Sequence, residues 1–234
     1  MTGKMKEKIK GRPLIHDFYA DPLSGPGIES RSFELIDAEA PRHAFSPEEW
    51  EVVRRMVHTT GDFGILEDVR FSRDALAAGK GALKRGAPIY TDSGMIRAGL
   101  SLARLRAACG DYRRRSIFCH IADRDVAAAA KASGLPRSIH ALRKARPILD
   151  GGIIVFGNAP IALLELNRMV LEEGVRPALV IAMPVGFVHV VESKEEVLSL
   201  DVPSIALLGR RGGSPLAVSV VHALCGLASR TNTD

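Results

Sequence analysis

The sequence predicts an α/β protein: a three-layer α/β/α arrangement with a mostly parallel, five-stranded sheet. Three observations carry this. Apolar runs that do not alternate with polar residues occur at 88–91, 116–121, 152–156, 178–183 and 204–208. This is the pattern of strands covered on both faces. Each run is followed by a segment of helical character, so strand and helix alternate from residue 88 to residue 228. The composition, 46% hydrophobic and 25% charged with mean hydropathy +0.06, is that of a globular chain and excludes a disordered or low-complexity one.

The elements follow in order. The first twelve residues carry Lys4, Lys6, Lys8, Lys10 and Arg12 against Glu7 alone, which accounts for most of the net charge of +5. Residues 1–20 therefore read as a solvated basic tail, and 21–230 as a single α/β domain. Turn residues make 13–26 a loop, and Ile28, Phe33, Leu35 and Ile36 place a helix over 28–38. Ser46-Pro47-Glu48-Glu49 is a helix start, with a serine cap, proline in the first turn and a glutamate three residues on. That helix carries Trp50, Val53, Met56 and Val57 on one face and stops at Gly61. Ser72-Arg73-Asp74 begins another helix, ending near residue 85. Helices are expected between the strands at 93–106, 125–132 with 137–145, 159–173 and 193–199, and a last one at 215–228. There is no internal repeat.

Several classes of function are excluded or disfavoured. Three cysteines (Cys109, Cys119, Cys225) without a CxxC make neither a disulfide framework nor a zinc site, and they suit a reducing cytoplasm. No apolar stretch follows the basic start as in a signal peptide, and the longest apolar stretches are interrupted by Pro160 or Pro184, so no membrane span is expected. One tryptophan and three tyrosines supply an aromatic nucleic-acid platform poorly. The histidines show no metal spacing, and there is no GxSxG elbow and no dinucleotide or P-loop fingerprint, so no bound metal is expected.

In a parallel sheet the ligand sits beyond the carboxyl ends of the strands. The loop Gly209-Arg210-Arg211-Gly212-Gly213-Ser214 lies between a strand and a helix. Its backbone N–H groups and arginines suit a carboxylate or phosphate, and a tight turn with a solvated arginine pair fits the same residues. Gly157-Asn158-Ala159-Pro160 is a second such loop, in which Asn158 is expected to cap the next helix. His58 ends the Trp50 helix, where the helix dipole favours a protonated imidazole suited to general-acid work; a capping or surface histidine fits equally. Glu192, Glu195 and Glu196 open a helix, as dipole partners do. These residues alone define a flavodoxin-like or related α/β domain with anion-friendly loops and one notable histidine.

Taken in chain order, the loops resemble one family. The segments are Arg31-Ser32-Phe33-Glu34, Arg55-Met56-Val57-His58-Thr59-Thr60-Gly61-Asp62-Phe63, and Gly86-Ala87-Pro88-Ile89 leading to Thr91-Asp92. They continue with Gly157-Asn158-Ala159-Pro160, Met183-Pro184-Val185-Gly186-Phe187-Val188 with Glu192-Ser193-Lys194, and the loop at 209–214. Together they resemble the precorrin-8X methylmutases, also called cobalt-precorrin-8 methylmutases, over residues 21 to 226. The resemblance implies a homodimeric, flavodoxin-like isomerase of cobalamin biosynthesis. It moves a methyl group between adjacent ring-C carbons of a corrin precursor, needs no separate cofactor, and binds its tetrapyrrole near the dimer interface.

The resemblance gives His58 the catalytic position, protonating or hydrogen-bonding the ring-C nitrogen. It assigns substrate contact to Arg31, Ser32, Thr91, Asp92, Arg137, Asn158, Gly186, Arg210, Gly212, Gly213 and Ser214. Met183, Val185, Phe187 and Val188 would supply part of an apolar wall for a flat macrocycle. Ser93-Gly94 after Asp92, and Pro215 after Ser214, depart from the family pattern. A non-catalytic corrinoid carrier would use the same pocket, and a nucleotide-binding module is the third alternative, disfavoured by the missing phosphate fingerprint.

Overall fold

The computed structural model describes residues 13–230; the lysines at 4, 6, 8 and 10 and Arg12 lie outside the described residues. The chain divides into two compact units, Met1–Ala40 and Pro41–Asp234. The first holds α1 (Ile15–Ala20) and α2 (Gly25–Glu39). A helix thus occupies part of the 13–26 stretch expected as loop. The second helix begins earlier than expected because Ser24 caps it, Oγ accepting from Gly27 N, with Pro26 in its first turn.

The second unit is built on one six-stranded sheet, not the five strands expected. In chain order its elements are α3 (Pro47–Thr60), β1 (Val69–Phe71), α4 (Ala75–Lys84), β2 (Ile89–Thr91), α5 (Gly94–Gly99) and α6 (Leu102–Ala108). They continue with β3 (Ile117–Phe118), α7 (Arg124–Ser133), α8 (Arg137–Lys144), β4 (Ile153–Phe156), α9 (Pro160–Glu173), β5 (Leu179–Ala182), α10 (Val190–Ser199), β6 (Ser204–Leu207) and α11 (Ser214–Ser229). The strands lie in the order β1-β6-β5-β4-β2-β3. β2 to β6 are mutually parallel, and β1 alone runs antiparallel, pairing Val69 with Leu207 and Phe71 with Ile205.

β1 is the extra strand. Three residues with an exposed Arg70 in the middle leave no apolar run to read. β3 shrinks from the expected 116–121 to two residues at the opposite edge. The single helix expected over 93–106 is broken in two. Ser101 starts α6, its Oγ accepting from Arg104 N, while its own N–H donates to His222 Nε2 at 3.0 Å.

The remaining strands match their sequence pattern. Every residue of β4, β5 and β6 is buried, as non-alternating apolar runs require when helices cover both faces. On one face Tyr90, Ile154, Phe156, Val180 and Ala182 pack with Leu142 of α8, Leu163 and Leu166 of α9, and Val197 of α10. On the other, α11 lies against α3, α4, α5 and α6. Gly79 of α4 sits there because a Cβ would come 2.9 Å from the Leu179 side chain. The α3 start carries the expected capping box of Ser46 and Glu49. No helix among the described residues is long and apolar enough to cross a membrane.

Candidate functional site

The carboxyl edge of the parallel strands gathers the loops that the sequence singled out. The strand order reverses between β2 and β4, where the chain leaves in opposite directions, the position at which open sheets of this kind commonly bind ligands. Asp92 follows β2 at this point and is 2% exposed. Its carboxylate accepts from the loop after β4: Gly157 N at 3.1 Å, Asn158 N at 2.7 Å and Ala159 N at 2.6 Å. Burial pushes the carboxyl pKa up, and the backbone donors of residues 157–159 act against it. The cradle of N–H groups that could receive a ligand anion here is filled by the protein's own side chain. Asp92 is thus placed to hold the loop. Thr91 is likewise buried, its Oγ1 donating to Phe118 O at 3.2 Å.

Asn158 does not cap α9 as expected. Ala159 is the cap residue, without a side-chain bond, and Asn158 stays exposed. The Asp92 carboxylate does the capping instead, reached from 65 or more positions earlier in the chain. Ser93 Oγ and Ser214 Oγ lie 3.0 Å apart, joining the β2 loop to the start of α11. Gly157 lies directly against this junction, since a Cβ there would come within 2.9 Å of the Ser214 backbone.

The β5 and β6 loops are stitched to each other. Gly213 N donates to Met183 O at 2.7 Å, and Gly186 N to Arg210 O at 3.2 Å. Gly212 has no room for a side chain: a Cβ would sit 2.3 Å from Met183 O. Gly186 and Gly213 hold φ of +143° and +123°, a region open to glycine. Within the expected apolar wall, Val185, Phe187 and Val188 are exposed, Phe187 by 81%, whereas Met183 is fully buried and supports it from behind. The Arg210 guanidinium lies over the Phe187 ring, 5.1 Å from its centroid. Cation and aromatic face are thereby presented together.

His58 stands in the last turn of α3, exposed, ahead of the left-handed Gly61 that ends the helix. Arg211 links this turn to the β6 loop. Its guanidinium donates to Asp62 Oδ2 (2.8 Å), Gly64 O (2.7 Å) and Asp68 Oδ2 (2.6 Å), and these partners hold its pKa above the ordinary arginine value. Both arginines of the loop are exposed, but Arg211 is committed to these internal partners, whereas Arg210 makes its contact with the Phe187 ring. Lys194, to which sequence reasoning gave no role, is wholly buried under the same loop. It donates to Gly209 O at 3.0 Å and Arg211 O at 2.7 Å. The sequence signal for it was only its place in Glu192-Ser193-Lys194, on a helix whose neighbouring carboxylates read as dipole partners.

Two groups of expected site residues stand apart from these bonds. Arg137 is exposed at the first turn of α8, and none of the hydrogen bonds described ties it to the glycine loops. Arg31 and Ser32 belong to α2 of the first unit, where Arg31 pairs with Glu34 at 2.8 Å and Ser32 Oγ donates to Ile28 O.

The fold and these loops define an α/β protein with a mostly parallel sheet, whose loops present an exposed histidine, an exposed arginine and an exposed apolar surface. The chain belongs to the precorrin-8X methylmutase family, whose model matches residues 27–227. It is 43% identical over 215 residues to the cobalt-precorrin-8 methylmutase of Leptospira interrogans, covering 88% of this chain and 95% of that one. It is 39% identical over 202 residues to the precorrin-8X methylmutase of Pseudomonas aeruginosa, covering 86% and 94%. The crystal structure of precorrin-8X methyl mutase from Thermus thermophilus superposes with a TM-score of 0.80 at 44% identity, covering 88% of this chain and 97% of that one.

Proposed function

We propose that the chain catalyses the methyl shift between adjacent ring-C carbons of precorrin-8 or its cobalt form, giving hydrogenobyrinate or cobyrinate. The observation that carries this is the exposed His58 on a helix end that Arg211 ties to the β6 loop, in a chain whose whole α/β domain matches the family model. His58 would deliver a proton or a hydrogen bond to the ring-C nitrogen, drawing electron density away from the migrating carbon. Migration within one molecule needs no protein nucleophile.

Arg210 and the N–H groups of Gly212 and Ser214 would receive peripheral carboxylates of the macrocycle, while Gly213, whose own N–H is held by Met183 O, would set the turn between them. Val185, Phe187 and Val188 would lie along its face. Gly186 shapes that wall, and Thr91, Asp92 and Asn158 fix the loops beside it. The finer fold reading, flavodoxin-like, is supported by the order of the five parallel strands, which in their own sequence count run 2-1-3-4-5. A cytoplasmic homodimer with the site near its interface belongs to the same reading. Exposed Phe187 and Val188 would gain cover in it, and Arg31, Ser32 and Arg137 would complete the carboxylate contacts.

The test is an ultraviolet–visible time course with cobalt-precorrin-8, and separately with the metal-free form. Conversion to the cobyrinate-type spectrum is expected with at least one of them. A bound-corrinoid spectrum without conversion would establish a carrier instead. Arg137→Ala is expected to raise KM about tenfold, the scale of one charge-assisted contact, with kcat nearly kept. An unchanged KM would remove Arg137 from the site.

A further inference from the structure

The loop at 209–214 is held from beneath by one side chain. Lys194 lies in α10, fully buried, and its two bonds are to the carbonyls of Gly209 and Arg211, on either side of Arg210. With those carbonyls turned inward, the loop presents Arg210 to solvent. A buried ammonium is costly unless it is bonded. Both bonds found here are to backbone oxygens. The carboxylate that acts on it through space, Asp68, is already bound by Arg211 at 2.6 Å. Among the described residues no carboxylate contacts Lys194 directly, so a unit positive charge is left under the loop.

We infer that Lys194 is a positioning residue for the methyl-shift reaction, holding the β6 loop in its ligand-receiving form and attracting the substrate's carboxylates from beneath it. This rests on the reading of that loop as the carboxylate site. The charged groups that bear on Lys194 are Asp68 ahead of β1, Asp62 through Arg211, and Arg210 and Arg211 on the loop; Glu192, Glu195 and Glu196 neighbour it on α10. Glu196 is engaged by Asn167 at 2.8 Å.

Burial lowers the Lys194 pKa from 10.5 to about 8, against the opposing pull of Asp68. Between those two values the folded chain has released a proton that the unfolded chain still holds. Its contribution to stability therefore rises with pH across that window. A neutral amine keeps two N–H donors for the two carbonyls, but the charge is lost. Affinity for a polycarboxylate therefore falls over the same window in which stability rises. A merely structural lysine would not separate the two trends.

The experiment titrates the full chain with cobyrinic acid by absorbance, at about pH 7 and about pH 9.5, beside urea unfolding at each pH. For the wild type, Kd is expected to rise about tenfold, the order of one charge acting through protein, while the urea midpoint moves up relative to that of Lys194→Met. Lys194→Met is expected to bind about tenfold more weakly at the lower pH, with no further loss at the higher one. In turnover the change should fall on KM, with kcat per folded molecule retained. Wild-type affinity that is flat with pH, or Lys194→Met binding like wild type, overturns the role of Lys194 and leaves the site reading intact. If Lys194→Met does not fold, the wild-type change of Kd with pH decides. Absence of wild-type binding at either pH overturns both.

Discussion

Replacing His58 by alanine is expected to abolish the methyl shift while the protein folds and still binds corrinoid. In the proposed reaction the exposed imidazole at the end of α3 is the group that moves the proton. Positioned acid catalysis is worth about 10²–10⁴-fold in rate, and the loss should fall on kcat. His58 contributes nothing to the buried face of α3, which is made by Val52, Val53, Met56 and Val57. The stability change should therefore stay within about 1 kcal/mol. Single-turnover absorbance with a corrinoid titration alongside checks both halves. Turnover at the wild-type rate would remove His58 from the chemistry, and loss of both binding and rate would make it a binding residue.

The largest expected effect on stability is at Asp92. Asp92→Asn puts an NH2 group where one carboxylate oxygen stands: in the Oδ1 place it faces Gly157 N, and in the Oδ2 place it faces the N–H groups of Gly157, Asn158 and Ala159. At least one buried donor is left unsatisfied and the charge assistance is lost, a cost of about 3 kcal/mol. The damage should spread to binding, because Gly157 packs on the Ser214 backbone beside the β6 loop. Urea unfolding with an unchanged m-value reads the stability term. A midpoint equal to the wild type would mean that Asp92 does not hold the loop.

Much of this site was open to reading from the chain, and its limits have physical causes. β4, β5 and β6 announce themselves because a strand buried on both faces must be apolar at every position. The glycines of the β6 loop are conspicuous for a related reason. Gly212 meets the Met183 and Pro184 carbonyls at distances that no side chain tolerates. Short edge strands carry no such constraint, so β1 went unseen and β3 was drawn too long. Partnerships across the fold were equally hidden. Spacing does not reveal that Asp92 caps a helix beginning at Pro160, that Arg211 serves Asp62 and Asp68, or that the lysine between Ser193 and Glu195 is the buried one. The break at Ser101 depended on His222, 121 positions on.

The carboxylate lodged in the β4 loop also bears on selectivity among anions. Open sheets of this kind commonly offer the N–H groups at the switch point to phosphate, and FMN and dinucleotides are held that way in other proteins with related strand orders. Here an internal aspartate is a resident competitor. It is covalently tethered and never diluted, so dissolved phosphates and nucleotides find that position taken at any practical concentration. The N–H groups of residues 157–159, the place where related sheets hold a phosphate, are thus closed to dissolved anions by one of the protein's own side chains.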